Sequence, residues 1–100
     1  MPQVFNFTKS SIGSSTAVQL TTTSTYTTVY GFTVKAKSGN NGKVYLGFDN
    51  TVTADTTAAT DGFELSAGEA YFVPKAEAAD PTGVWVIAST TNQEVFVRGV

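Results

Sequence analysis

The chain contains neither cysteine nor histidine, and it carries few charges. Without cysteine there is no disulfide framework and no thiolate metal site. The best side-chain nucleophile and the commonest general base are therefore both missing, so we expect no enzymatic activity. The six Lys and Arg residues are scattered and the net charge is −2, which argues against nucleic-acid binding. We expect no cofactor and no bound metal.

Long apolar runs are also missing. No stretch approaches the ~20 apolar residues that a membrane-spanning helix needs, so we expect no membrane partner. The first seven residues lack the basic region and the apolar run of a signal peptide. Together with the absence of cysteine, this favours production in a cytoplasm.

Threonine is abundant where charge is scarce. Charged residues make up 14% of the 100-residue chain, against a typical share of about 25%. Because threonine is β-branched, this composition favours extended backbone over helix. A chain of this length forms one domain with one core. Low surface charge leaves sheet edges prone to association, which favours an assembly component whose polar surfaces are covered by partner subunits.

About seven or eight short strand candidates, separated by turn signals, predict a single-domain antiparallel β-sandwich or barrel of the jelly-roll type. The sandwich is expected over residues 17–100. Its longest strand candidate is 26–37, and the Asn-Gly pair in the turn that follows predicts a hairpin between 26–37 and 43–48. Alternation places apolar residues of the two strands on one face each: Tyr30, Phe32, Val34 and Ala36 in the first, and Val44, Leu46 and Phe48 in the second.

Residues 1–16 have two interpretations, an N-terminal arm or a first strand, followed in either case by a Ser/Gly-rich connector. In one, Val4, Phe5 and Phe7 belong to a strand of the domain's own sheet. In the other, they dock on a neighbouring subunit, and Lys9 supplies a charge at the rim of that contact. The sequence leaves both open.

Two further features suggest ligand binding. Asp49, Asp55 and Asp61 recur through a Thr/Ala-rich loop, but their order does not fit an EF-hand, and solvated loop acids are the simpler interpretation. Tyr45 lies opposite the apolar face of its strand, so it is a candidate surface aromatic for stacking on a sugar ring, with Asp49 nearby. Trp85, flanked by Val and Ile residues, is better explained as a core side chain.

Three segments of the second half stand in a characteristic order: Val44-Tyr45-Leu46-Gly47 with Asp49 and Val52-Thr53, then Gly62-Phe63, Leu65 and Ala67-Gly68-Glu69, then Val84-Trp85-Val86-Ile87-Ala88. This order resembles small virion proteins of tailed bacteriophages, in which V-Y-x-G-x-D-x-x-V-T precedes G-x-x-L-x-A-G-E and an x-W/Y-x-I-A strand. The resemblance covers roughly 60 C-terminal residues. The loop from Asp49 to Asp61 is longer here, and the motifs build a fold rather than an active site.

The resemblance implies a non-enzymatic structural protein, made in the host cytoplasm and located on the surface of a phage head. It points to a capsid decoration (cement) protein that binds the head at junctions between major capsid proteins, as a homo-oligomer such as a trimer. Val4, Phe5, Phe7 and Lys9 are then the partner-binding residues. The alternative is a carbohydrate-binding or structural module of a tail or head fibre, with Tyr45 and Asp49 facing the sugar.

Overall fold

Two antiparallel sheets of four strands each make up the chain in the computed structural model, which describes residues 5–23, 26, 28–54 and 60–100. The strands are β1 Phe5–Ile12, β2 Val18–Gln19, β3 Gly31–Ala36, β4 Val44–Gly47, β5 Phe63–Leu65, β6 Ala70–Pro74, β7 Trp85–Ala88 and β8 Gln93–Gly99, and a 3₁₀ turn at Pro81–Gly83 precedes β7. Sheet I has the order β1-β8-β3-β6, and sheet II has the order β2-β7-β4-β5. The prediction of an all-β fold is confirmed.

The two sheets pack face to face around a shared apolar core. In β3, Phe32, Val34 and Ala36 are completely buried, while the alternate residues point away from the core. The same alternation in β8 buries Val95 and Val97. Sheet II contributes to this core from the facing side with Val44, Leu46, Leu65, Val86 and Ala88.

A bulge in β1 changes which residues face the core. The pairing with β8 runs from Phe5↔Gly99 to Lys9↔Val95 and then shifts, so that Ile12 pairs with Gln93. Ser11, at the shift, has a φ of 58°. The extra residue moves Ile12 onto the inner face, where it is fully buried.

The predicted hairpin between 26–37 and 43–48 is wrong. β3 pairs with β6 and β8 in sheet I, whereas β4 pairs with β5 and β7 in sheet II. Neither Asn41 nor Gly42 has the positive φ that a two-residue hairpin turn requires. The connection 37–43 therefore carries the chain from one sheet to the other.

That connection lies beside a second crossing, the segment 89–92 that leads from β7 to β8. The side-chain amide of Asn40 donates to the Glu94 carbonyl and its oxygen accepts from the Glu94 N–H, both at 2.9 Å. The Gly42 N–H donates to Oε1 of buried Gln93 at 2.9 Å. We call these joined crossings the corner. Because both links are fixed to each other, the two sheets are held in register at this end of the sandwich.

The strand predicted over 26–37 is also shorter than expected, since β3 begins at Gly31. Gly31 has a φ of +145°, a conformation that side chains rarely adopt, and it redirects the chain. Tyr30 consequently leaves the apolar face on which it was predicted and is 71% exposed. Phe48 is likewise outside the buried face, because β4 ends at Gly47, and is 54% exposed.

Candidate interaction surfaces

Tyr45 is not the surface aromatic that alternation predicts. It does point away from the main core, yet it is 5% exposed, and burial raises its pKa above the ordinary value for tyrosine. The outward side of sheet II is covered by a second apolar cluster, which we call the outer cluster: Ala17, Tyr45, Val52 and Ile87, with Ala54 and Trp85 packed against them. Tyr45 therefore cannot offer a ring to a sugar, and Trp85 has a structural role here.

Phe5 and Phe7 belong to the domain's own sheet rather than to a free arm. Both are half-buried against the main core, and both contact Tyr26, at ring-centroid distances of 4.9 and 4.8 Å. Lys9 follows them on the same strand and is half-buried. Val4 lies outside the described residues. The two phenylalanines therefore pack over one edge of the sandwich core.

An apolar patch lies where β1 begins and β8 ends, opposite the corner. Val29, Tyr30 and Val100 are 47%, 71% and 43% exposed. The N–H groups of Val29 and Tyr30 both donate to the Val100 carbonyl, at 3.1 and 3.2 Å. We call these three residues the end patch. These backbone hydrogen bonds hold the main chain of the three residues side by side.

The outer face of sheet I carries cations beside aromatic rings. Lys35 lies opposite Phe96 in the register, and Thr33 lies between Arg98 and Phe72. Lys35 and Arg98 are exposed, and Phe72 is 43% exposed. Among the described residues, the one ion pair within 4.0 Å joins Lys43 to Glu64, so neither Lys35 nor Arg98 is neutralised by a described carboxylate.

A shallow cleft of about 360 Å³ opens beside the end of β4. The exposed ring of Phe48 and the exposed carboxylate of Asp49 stand next to each other at this cleft. Thr51 donates its backbone N–H to Oδ1 of Asp49 at 2.9 Å, and its hydroxyl donates to the same oxygen at 2.5 Å. These bonds lower the pKa of Asp49 below its ordinary value, so the carboxylate is anionic at neutral pH. We call this surface the Phe48 cleft; it is lined by Gly47, Phe48, Asp49, Thr51, Val52, Thr60 and Asp61.

A second open cleft of about 470 Å³ lies over the outer cluster. Its polar groups are the hydroxyls of Ser14, Ser15, Thr53 and Ser89, with no titratable side chain in the lining. Within the described residues, no group of three or more His, Cys, Asp or Glu side chains could hold a metal ion. The described part of the chain likewise has no helix long and apolar enough to cross a membrane.

The structure does not assemble the predicted site residues into one place. Phe5, Phe7 and Lys9 lie on the edge strand of sheet I, while Tyr45 and Asp49 belong to sheet II and its loop. Of the residues predicted for sugar binding, Asp49 is at the surface and Tyr45 is not. Tyr30 and Phe48 are two exposed aromatics that alternation wrongly assigned to the apolar faces of their strands. The available signal was that each adjoins a glycine, which ends the regular alternation.

No family model, curated protein or solved structure matches this chain.

Proposed function

We propose that this chain is a non-enzymatic structural protein of a tailed-phage particle, of the capsid decoration type. In this role the sandwich binds the outer surface of the head at junctions between major capsid proteins. The support from sequence is the order of the motifs in β4, β5 and β7, together with the low share of charged residues. The support from the structure is the end patch. A small domain that fixes three exposed apolar side chains side by side offers a surface suited to a protein partner.

The end patch lies next to Phe5 and Phe7, two of the residues that the sequence predicts for the contact with the capsid. Phe5 pairs with Gly99, so β1 begins beside Val100. Phe5 and Phe7 are committed to the edge of the core, but they support the strand next to the patch. The partner-binding role thus moves from the predicted arm to Val29, Tyr30 and Val100. Each bound copy adds contact area between neighbouring shell subunits and raises the barrier to their separation by mass action.

The test uses phage particles that assemble without this chain, obtained by deleting its gene from the phage that encodes it. We expect such heads to rupture at a lower temperature, and the purified chain to co-sediment with them and restore the rupture temperature. Tyr30→Ser should weaken co-sedimentation by about tenfold or more, because exposed aromatic anchors often dominate such contacts.

Phe63→Ser is the matched control, because it also removes an exposed aromatic ring. Phe63 is 55% exposed and lies on the edge strand of sheet II, whereas the end patch adjoins the strand ends of sheet I. We expect this variant to bind as the unaltered protein does. Heads that neither bind the chain nor change their rupture temperature would overturn the proposal.

Saccharide binding is a second candidate, favoured by the Phe48 cleft. The exposed ring of Phe48 can stack on the apolar face of a sugar, while the anionic Asp49 accepts hydrogen bonds from its hydroxyls. A glycan array followed by NMR titration with the bound oligosaccharides tests this function. Phe48→Ala and Asp49→Ala should each remove binding, and Tyr30→Ser should leave it intact. No binding on the array would contradict this candidate.

A further inference from the structure

Most cations of this protein lie on or beside sheet I. Five of the six cations in the sequence lie in or directly after strands of sheet I: Lys9, Lys35, Lys37, Lys75 and Arg98. Of these, Lys35 and Arg98 are exposed on the outward side, whereas Lys9 lies opposite buried Val95 on the inward side. The remaining cation, Lys43, directly precedes β4 of sheet II and is paired with Glu64 at 2.9 Å. The loop after β4 carries Asp49 and Asp61, which line the Phe48 cleft. A basic face and an acidic surface are thus present on one molecule.

The basic face has the features of an uncovered contact. Lys35 and Arg98 project from the two central strands of sheet I, with Phe96 and Phe72 between and beside them. Glu94 also belongs to the outward set of β8, but it is half-buried and its backbone is bonded to Asn40 at the corner. The face therefore combines exposed aromatic area with a surplus of positive charge.

Two such faces do not fit each other. A symmetric dimer built on this face would bring the surplus positive charge of one copy against the same surplus of the other, and like charges in contact are unfavourable. The Phe48 cleft is a better partner, because it presents an exposed aromatic ring beside Asp49 and Asp61. A contact between these two different surfaces is heterologous, so repeating it produces a ring or a chain of copies.

We propose that the outer face of sheet I binds the Phe48 cleft of a second copy of this protein, with Lys35 and Arg98 facing Asp49 and Asp61. This contact builds the homo-oligomer that the resemblance to phage virion proteins implies, and it rests on the proposed function for its setting. Four strands about 4.8 Å apart and about six residues long give a footprint of roughly 20 × 20 Å. Stable interfaces bury about 800 Å² per partner, so the contact in solution is weak and depends on concentration.

The experiment measures the mass of the full chain by sedimentation equilibrium up to about 1 mM protein, at about 0.05 M and 0.5 M salt. We expect association at low salt that declines at high salt, because exposed charges are screened. Arg98→Glu alone and Asp49→Arg alone should each weaken association by about tenfold. The double variant Arg98→Glu/Asp49→Arg restores opposite charges across the contact and should associate again.

Lys75→Glu is the matched control, since Lys75 is an exposed cation outside the outer face of sheet I. It should associate as the unaltered protein does. If Asp49→Arg unfolds the loop, Asp49→Asn retains an acceptor for Thr51 while removing the charge, and it should weaken association to a smaller extent. A monomer under all conditions, association insensitive to Arg98→Glu, or no recovery in the double variant would each overturn the proposal. Because no shell is present, this failure is separate from failure of the Tyr30→Ser test on phage heads.

Discussion

The outward sides of the two sheets differ, although their inward sides share one core. In the central strands of sheet II, the outward residues Tyr45 and Ile87 are 5% and 6% exposed because Val52 and Ala17, which lie in loops, pack with them. In the central strands of sheet I, the outward residues include Lys35 and Arg98, and both are exposed. The same alternation of side chains thus leads to a covered face on one sheet and an uncovered face on the other.

Small residues make the cover of sheet II possible. A side chain at Gly47 would begin 2.5 Å from Cβ of Val52, and one at Gly62 would begin 2.6 Å from a methyl group of Val52. These two glycines let the loop after β4 fold back onto its own sheet. A face covered in this way loses its access to water and is a poor place for charge. Sheet I has no such cover among the described residues, and its outward side carries the exposed Lys35 and Arg98.

The largest expected effect comes from removing a ring from the covered face. Tyr45→Ala should lower the free energy of unfolding by about 3–5 kcal/mol, because it deletes a buried aromatic side chain and leaves a cavity. Phe72→Ala removes an aromatic ring from the uncovered face of sheet I, where the side chain is 43% exposed. That variant should lower the free energy of unfolding by no more than about 1 kcal/mol. Urea denaturation of both variants measures the difference, and equal losses would show that the two faces are not distinct.

A second variant pushes the loop after β4 away from sheet II without changing the outward residues of that sheet. Gly47→Ala should destabilise the protein by about 3 kcal/mol, near the upper end for overpacking, because its methyl group meets Cβ of Val52, which cannot rotate away. Gly39→Ala is the matched control, since no atom beyond Gly39 and its two chain neighbours lies within 4 Å of a methyl group at this position. It should be close to neutral in the same denaturation experiment. If Gly47→Ala is also neutral, the contact between this loop and sheet II is loose.

The corner offers a third test, because it joins the two sheets through one buried amide. The side chain of Gln93 is 1% exposed; it donates to Oδ1 of Asn41 at 2.6 Å and to the Thr91 carbonyl at 2.8 Å. Its oxygen also accepts from the Gly42 N–H. Gln93→Leu keeps the side-chain volume but leaves these hydrogen-bonding partners unsatisfied. We therefore expect the free energy of unfolding to fall by about 2 kcal/mol.

Ser38→Ala, in the same crossing and exposed, serves as the control for Gln93→Leu and should change stability by less than about 0.5 kcal/mol. Hydrogen exchange of the Gly42 and Glu94 amides adds a local measurement. Both amides should exchange faster in Gln93→Leu if the amide links the crossings. Unchanged exchange would mean that the backbone alone holds the corner.

Much of the fold could be predicted from the sequence, because alternation identifies a strand and its buried face. It correctly places Phe32, Val34 and Ala36 in the core. Alternation does not identify a strand's neighbours, so Asn41-Gly42 suggests a hairpin where the chain in fact changes sheets. It also cannot show that a loop covers the opposite face, which is why it wrongly assigns Tyr45 to the surface. The exposed Tyr30 and Phe48 are missed because strands end at glycines whose conformation depends on tertiary contacts.

The smallest expected effect concerns acid stability at the edge of the covered face. Hydrogen bonds from Thr51 lower the pKa of Asp49 below its ordinary value of 3.8. A group with a lowered pKa in the folded state stabilises it above the unfolded pKa, and this stabilisation is lost as the pH falls through the folded pKa. The difference in Tm between the unaltered protein and Asp49→Asn should therefore be present at neutral pH and shrink below pH about 4. Thr51→Val removes the hydroxyl bond, so it should reduce the same acid dependence while leaving the charge of Asp49 in place. A Tm difference that stays constant from neutral to acidic pH would show that Asp49 supports this loop through its shape and not through its ionised carboxylate.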